Sequence, residues 1–300
     1  MKKTILLLLP AFLLVSCGSV NRNVMKKVTY DKDNNVVSTS EFTYQGNNLL
    51  TIKETDKEET SLLSVSYNSK GLETDQKIQV LKDGKYVDKY LTVFTYDNHD
   101  VMLSTEDYVF DSDTNKYVIT DLTLYEFDNK GNETRIRSIT YNDDLSVYMQ
   151  LQGLSEYNDQ GMIVLNEQYM YDFDLETMVY FSGDIYTYDN DGKTLLKVTT
   201  LDEDKEPMMI SVNHYNEDKT LKEVVTTKIV GGIEQPFKVE TYEYNTNKDV
   251  TMKKTVYSVN GFGDEVIRYE YDNNNRMTKE SFFDLVGDSE VLDSYYVYSY

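Results

Sequence analysis

An aromatic residue followed by an acidic or amide residue returns along almost the whole chain at a nearly fixed interval. The aromatic falls at Tyr44, Tyr67, Tyr96, Phe127, Tyr157, Tyr188, Tyr215, Tyr244, Tyr271 and Tyr298. Tyr67 and Tyr298 lie 231 residues and eight intervals apart, a mean period of about 29. A period of this size marks an array of one supersecondary unit that buries its apolar face only by stacking on its neighbours. Tyr30 reads as a shortened first copy.

The residues after each anchor are those of a tight turn. Asp or Asn follows every anchor but two, as at Asp97, Asp128, Asn158, Asp189 and Asp272; the exceptions are Gln45 and Ser299. The fourth residue after the anchor is Gly71, Gly131, Gly161 or Gly192 in four copies. Elsewhere it is Asn34, Asn48, Asp100 or Asn275, with Lys219 and Lys248 as exceptions. Asx side chains bond to the backbone two residues on, and Gly, Asn and Asp tolerate positive φ. A short loop with a left-handed residue near its end is a common hairpin connection.

The flanks read as strands. Val266-Ile267-Arg268-Tyr269-Glu270-Tyr271 sets Ile, Tyr and Tyr against Val, Arg and Glu, with a period near two. Leu91 and Val93 face one way while Phe94 and Tyr96 face the other. A second, looser turn lies between anchors, as at Asp83-Gly84, Gly231-Gly232 and Asn260-Gly261. One period therefore holds a hairpin. The expected fold is all-β: an antiparallel meander of about twenty strands, curled into a barrel-like or open shell.

The first seventeen residues read as an export signal. Lys2 and Lys3 precede an apolar run from Ile5 to Val15, too short for a stop-transfer span, and small residues lead to Cys17. Cys17 is the only cysteine, so it has no internal disulfide partner. Residues 18–23 read as a tether. From residue 24 to 300 the period does not break, which predicts a single repeat domain. Pro207 and Pro236 are placed in the looser loops, where proline removes no ladder bond.

Removing Lys2 and Lys3 with the signal leaves 28 basic residues against 52 acidic ones, a net charge of about −24. Phosphate binding wants clustered Lys and Arg, so nucleic acid is excluded as a partner. Tyrosine is abundant at 27 residues and tryptophan absent.

Two resemblances follow. Leu14-Val15-Ser16-Cys17 resembles the lipobox of bacterial lipoproteins, which implies cleavage before Cys17, lipid on its thiol and new amino terminus, and a membrane as partner through that lipid. Gly18 in place of Asp favours, by the same resemblance, the outer membrane over the inner one, facing the periplasm or the cell surface. Tyr186-Thr187-Tyr188-Asp189-Asn190-Asp191-Gly192-Lys193, Tyr125-Glu126-Phe127-Asp128-Asn129-Lys130-Gly131-Asn132 and Tyr269-Glu270-Tyr271-Asp272-Asn273-Asn274-Asn275-Arg276 look like the YD repeats of RHS-type proteins. Those imply a β-sheet shell around a toxic domain, for which this chain is short. Lipobox, YD-like hairpins and a length of 300 residues are closer to uncharacterised bacterial lipoproteins with such repeats, some described as porin-like in fold. They imply a shape and no activity.

The tyrosine rows are the leading functional candidate: Tyr242, Tyr244, Tyr269, Tyr271, Tyr296 and Tyr298. Tyrosine presents a flat amphipathic face with little entropy to lose, which suits a glycan or protein ligand. The alternative is that these six are cross-strand packing pairs. The histidines, His99 and His214, read as surface positions, and neither Asp111-Ser112-Asp113-Thr114-Asn115 nor the Asp189 turn completes an EF-hand loop, so no metal and no cofactor is expected. No nucleophile elbow, P-loop or dinucleotide fingerprint is present. The expectation is a non-catalytic binding or scaffold module. A membrane-spanning pore and a glycan-active enzyme using two of the many carboxylates are the alternatives.

Overall fold

In the computed structural model, residues 24–287 and 289–300 are described. The first five strands are β1 (Lys26–Asp31), β2 (Val36–Gln45), β3 (Asn48–Asp56), β4 (Thr60–Tyr67) and β5 (Glu73–Lys82). There follow β6 (Lys85–Tyr96), β7 (Met102–Asp111), β8 (Lys116–Phe127), β9 (Glu133–Tyr141) and β10 (Val147–Tyr157). Next come β11 (Ile163–Asp172), β12 (Thr177–Tyr188), β13 (Leu195–Leu201), β14 (Pro207–Tyr215) and β15 (Leu221–Val230). The last are β16 (Ile233–Tyr244), β17 (Val250–Tyr257), β18 (Glu265–Tyr271), β19 (Met277–Val286) and β20 (Ser289–Ser299). Each strand pairs antiparallel with the next, and β20 pairs with β1 from Lys26↔Ser299 to Asp31↔Ser294. The meander is closed, which leaves no sheet edge unpaired.

The turn chemistry explains the repeat. At Asn68, Asp97, Asp128, Asn158, Asn245 and Asp272, one side-chain oxygen accepts hydrogen bonds from the backbone N–H groups two and four residues on. The residue three beyond the Asx turns left-handed, as at Gly71, Asp100, Gly131, Gly161, Lys248 and Asn275. The ladder then skips one residue beside the anchor, a bulge seen from Tyr44 through Tyr271. A left-handed residue closing a type I loop with a bulge is the expected companion geometry. The Asp189 turn is one residue longer than its fellows: Asp189 N–H donates to the carbonyl of Thr194. Gly192 is required there, with φ of +70° and a virtual Cβ 3.1 Å from Gln160.

All the turns that follow even-numbered strands stand at one end of the barrel, called here the YD end. Most anchor hydroxyls there tie one hairpin to the one before it. Tyr67, Tyr157, Tyr188, Tyr215, Tyr244 and Tyr271 donate to the carbonyls of Leu49, Glu133, Ile163, Leu195, Leu221 and Val250, on the preceding strand, just past the previous turn.

Both faces of the sheet reach solvent. The chain exposes 19,759 Å2, whereas a compact globule of its 34.9 kDa would expose about 13,000 Å2. The excess is larger than the roughly 3,700 Å2 that the first 23 residues could add even fully extended. Side-chain hydrogen bonds, ion pairs and ring contacts among the described residues join strands or turns that are neighbours or next neighbours, for example Lys70 with Asp100 and Arg268 with Glu290. The interior is a lumen, as expected for a barrel of many strands. The anchor face is the enclosed one. No anchor is exposed, while the residue just before it is exposed in nine of ten copies, Thr95 being the exception. A curled sheet crowds side chains on its concave side and splays them on its convex side, so the anchors line the lumen.

Several sequence expectations need correction. The last anchor is Tyr300 rather than Tyr298, because Tyr300 makes the hook, to Met277. The Asp31 turn beside Tyr30 stands at the end opposite the YD turns, so Tyr30 is no shortened copy. Tyr44 is followed by a two-residue turn at Gly46-Asn47, with Gln45 paired to Asn48, so Asn48 lies in a strand. Pro236 is inside β16, opposite Thr227 and next to the bulged Phe237, outside the stretch of β16 that pairs with β17, and Pro207 opens β14. Both placements spare a ladder bond as the rule requires.

Candidate functional site

The six tyrosines singled out in sequence do share one wall. Tyr242 and Tyr244 end β16, Tyr269 and Tyr271 end β18, and Tyr296 and Tyr298 lie on β20, all on the anchor face. They are not cross-strand pairs. The ladder sets Tyr242 opposite Lys253, Tyr269 opposite Glu280, and Tyr298 opposite Lys27. Even strands carry aromatic rings and odd strands place a charge between them.

Those charges are what sequence reading missed. The signal was the register: the residue nine beyond an anchor faces the residue two before it, as with Lys253 and Tyr242 or Glu280 and Tyr269. Glu240 accepts from Lys253 at 2.7 Å and Lys238 at 2.9 Å. Burial pushes its carboxyl up, but the two ammonium groups outweigh it and hold it below the usual range. Burial raises Glu280, against a hydrogen bond from Tyr298 at 3.1 Å and the charge of Lys27. Lys27 is lowered, again by burial first, and its ammonium lies 3.7 Å from the centre of the Tyr296 ring. Burial, with Glu280 beside it, pushes Tyr269 up to about 12.

The hydroxyls divide the six. Those of Tyr244 and Tyr271 are committed to the inter-hairpin hooks, and that of Tyr298 to Glu280. Tyr242, Tyr269 and Tyr296 present rings and hydroxyls to the lumen without a protein hydrogen bond among those found. Farther round, the same wall carries hydroxyl–carboxylate pairs: Thr140 to Asp121 and Thr200 to Asp184, with Thr92 to Asp107. Asp107 and Asp121 stand directly opposite each other on β7 and β8, beside a cavity of about 170 Å3 also lined by Tyr90 and Tyr108. Burial first, then the charge of Asp121, raises Asp107.

The turn residues Asp97, Asp128, Gly131, Asn158, Gly161, Asp189, Gly192 and Asp272 all stand at the YD end, where they hold backbone geometry. His99 is in the turn after β6 beside Asp97, and His214 is on the outer face of β14. Cys17, the signal segment and the tether lie outside the described residues.

Neither face forms an apolar band. The lumen face carries Lys27, Glu54, Asp121, Glu240, Lys253 and Glu280; the outer face carries Glu41, Lys53, Lys77, Glu126, Arg135 and Arg268. A lipid-facing barrel wall is apolar at alternate residues across the hydrocarbon thickness.

No protein-family model matches the chain, and no curated protein matches it in sequence. Among solved structures, it resembles TcdB2-TccC3 at 12% identity and a TM-score of 0.43, over 92% of this chain but only 16% of that one. A porin-like protein from Bacteroides uniformis is 10% identical with a TM-score of 0.35, over 93% of this chain and 98% of that one. A Bacteroides fragilis protein of unknown function is 10% identical over 43% of this chain and 93% of that one, with a TM-score of 0.36. These scores are low, and the class, a closed twenty-stranded antiparallel barrel, rests on the register of its own strands.

Proposed function

We propose that the chain is a lipid-anchored, non-catalytic barrel of the bacterial cell envelope, held to the outer membrane through Cys17, that binds a glycan along its tyrosine wall. The observation that carries the binding reading is the alternation of tyrosines whose hydroxyls make no protein hydrogen bond among the described residues, Tyr242, Tyr269 and Tyr296, with Lys253, Glu280 and Lys27 on one enclosed face. Rings stack on sugar faces, and flanking charges of both signs take hydroxyl hydrogen bonds. The charges on both sheet faces speak against a spanning pore. The test has two arms. Residues 24–300, made without lipid, fold to a β-rich monomer by circular dichroism in detergent-free buffer, and Tyr269→Ala weakens oligosaccharide binding by about tenfold. A chain that folds only in detergent overturns the anchored-barrel reading and makes ion conductance the next measurement.

A glycan-active enzyme has one observation in its favour, the facing carboxylates Asp107 and Asp121 with Asp107 raised. A carboxyl raised by burial beside a facing carboxylate suits acid–base work on a glycosidic bond. Release of reducing sugar that Asp107→Asn abolishes would establish it over the non-catalytic reading.

A further inference from the structure

The two ends of the barrel differ in chemistry. At the YD end the exposed turn residues are polar throughout. Of the exposed large apolar residues among those described, all but Met25, Leu103, Leu124, Ile185 and Leu196 lie in the opposite half. Those more than half exposed, Leu145, Tyr148, Phe173, Leu175, Ile233, Phe262 and Val286, all lie at hairpin tips between the turn after β9 and the turn after β19, where only the turn after β13 has a wholly polar apex. Leu145 and Leu175 are 55% and 67% exposed, Ile233 and Phe262 66% and 56%, and Val286 66%. Adjacent hairpin tips stand about 10 Å apart, twice the strand spacing, so the tips form an arc of about 50 Å.

Leu145 makes the pattern harder to dismiss. It occupies the left-handed position of its turn with φ of +65°, where the equivalent turns use Asn34 and Lys205. A branched apolar side chain is disfavoured in that conformation, and here it gains no burial in return.

The same tips are acidic. Asp143 and Asp144, Asp174 and Glu176, and Glu203 and Asp204 lie among the apolar groups. Lys205 is the one base in the turns of this arc, and it is bonded to Glu167 at 2.7 Å. The field therefore repels anionic lipid headgroups and a second acidic arc, and attracts cations.

We propose that this arc is a docking surface for a polypeptide partner that presents basic side chains around apolar anchors. Val24, whose carbonyl takes the Tyr44 hydroxyl, sits at the YD end. If the anchor at Cys17 is as proposed, the arc points away from the membrane, toward such a partner. The docking itself does not depend on the anchor.

The test uses the full chain reconstituted in phosphatidylcholine nanodiscs and two synthetic helical peptides, one of leucine and lysine, one of leucine and glutamate. Fluorescence anisotropy should show the lysine peptide binding and the glutamate peptide not. The triple variant Leu175→Ser, Ile233→Ser, Phe262→Ser should weaken binding by about tenfold or more. The control triple Leu103→Ser, Ile185→Ser, Leu196→Ser, distant from the arc, should leave it unchanged. Leu145→Gly, which relieves the left-handed strain, should raise the melting temperature while weakening binding, an outcome a folding defect does not produce. Equal losses in the two triples, or none in either, overturn the proposal. So do phosphatidylglycerol vesicles captured through the same three residues, or a dimer of the protein alone that the first triple dissolves.

Discussion

The hydroxyl of Tyr244 donates a 2.7 Å hydrogen bond to the carbonyl of Leu221, the first residue of β15. Tyr244 is thus a link between one hairpin and its predecessor, while Tyr242 two residues earlier has its hydroxyl available to a ligand. The separation predicts opposite phenotypes. Tyr244→Phe should cost about 1 kcal/mol of stability, the usual net worth of a partly buried hydrogen bond, and leave glycan binding unchanged. Tyr242→Phe should leave the denaturation midpoint unmoved. Urea titration followed by circular dichroism reads both, and equal midpoints for the two variants would show that the hook contributes nothing. Nature supplies one comparison in the chain itself. Phe127 occupies an anchor position without a hydroxyl, and among the described residues Tyr96 makes no hook either, so the barrel closes without every hook in place.

The YD turn is the element that sequence disclosed best. Its Asx, its left-handed fourth residue and its period all follow from local backbone chemistry, which needs no knowledge of distant strands. Alternation likewise placed Ile267, Tyr269 and Tyr271 on one face of β18. Register across the ladder was not legible, because it depends on the bulge beside each anchor, and so Lys253 and Glu280 escaped notice. The turns also set a pH response. Hydrogen bonds from side chains, led by Thr220 and Arg276, hold Asp218 and Asp272 at about 2, and Asp128 is lowered chiefly by Asn132. A depressed carboxyl contributes stability in full above its unfolded value of 3.8 and loses it as pH falls toward the folded value. Buried Asp107 and Glu280, raised instead, oppose this by gaining from protonation at higher pH. The melting temperature should therefore hold or rise slightly down to about pH 4 and fall steeply from about 4 to 2. Asn already serves at Asn68, Asn158 and Asn245, so Asp128→Asn with Asp272→Asn should keep the fold and flatten that fall. An unchanged acid transition in the double variant would place its origin elsewhere.

Closure belongs to the whole molecule and could not be read from any stretch of it. The sequence allowed a curled barrel or an open shell, since each hairpin specifies only its nearest neighbours. The decision is made where β1 meets β20, between residues at opposite ends of the barrel domain. Val28 and Val297 are direct partners there, and Tyr30 stacks on Tyr295 with ring centres 4.7 Å apart. Directly opposed residues on antiparallel strands have Cβ atoms about 4.5–5.5 Å apart, near the reach of a disulfide. With Cys17→Ser to remove the native thiol, Val28→Cys and Val297→Cys should oxidise to an intramolecular bond in a monomer. Because the bond closes a loop of nearly the entire domain, the chain-entropy estimate of its stabilisation is about 5.5 kcal/mol, less whatever strain the bond introduces. An open shell would keep the two thiols apart, giving free thiols or intermolecular dimers on a non-reducing gel. Formation of the internal bond with a raised unfolding midpoint would mean that the lumen is sealed along its length. A ligand would then reach the tyrosine wall through the ends of the barrel, past either the polar YD turns or the acidic, apolar arc, and blocking the arc with the leucine–lysine peptide would slow glycan entry if the arc is the open door.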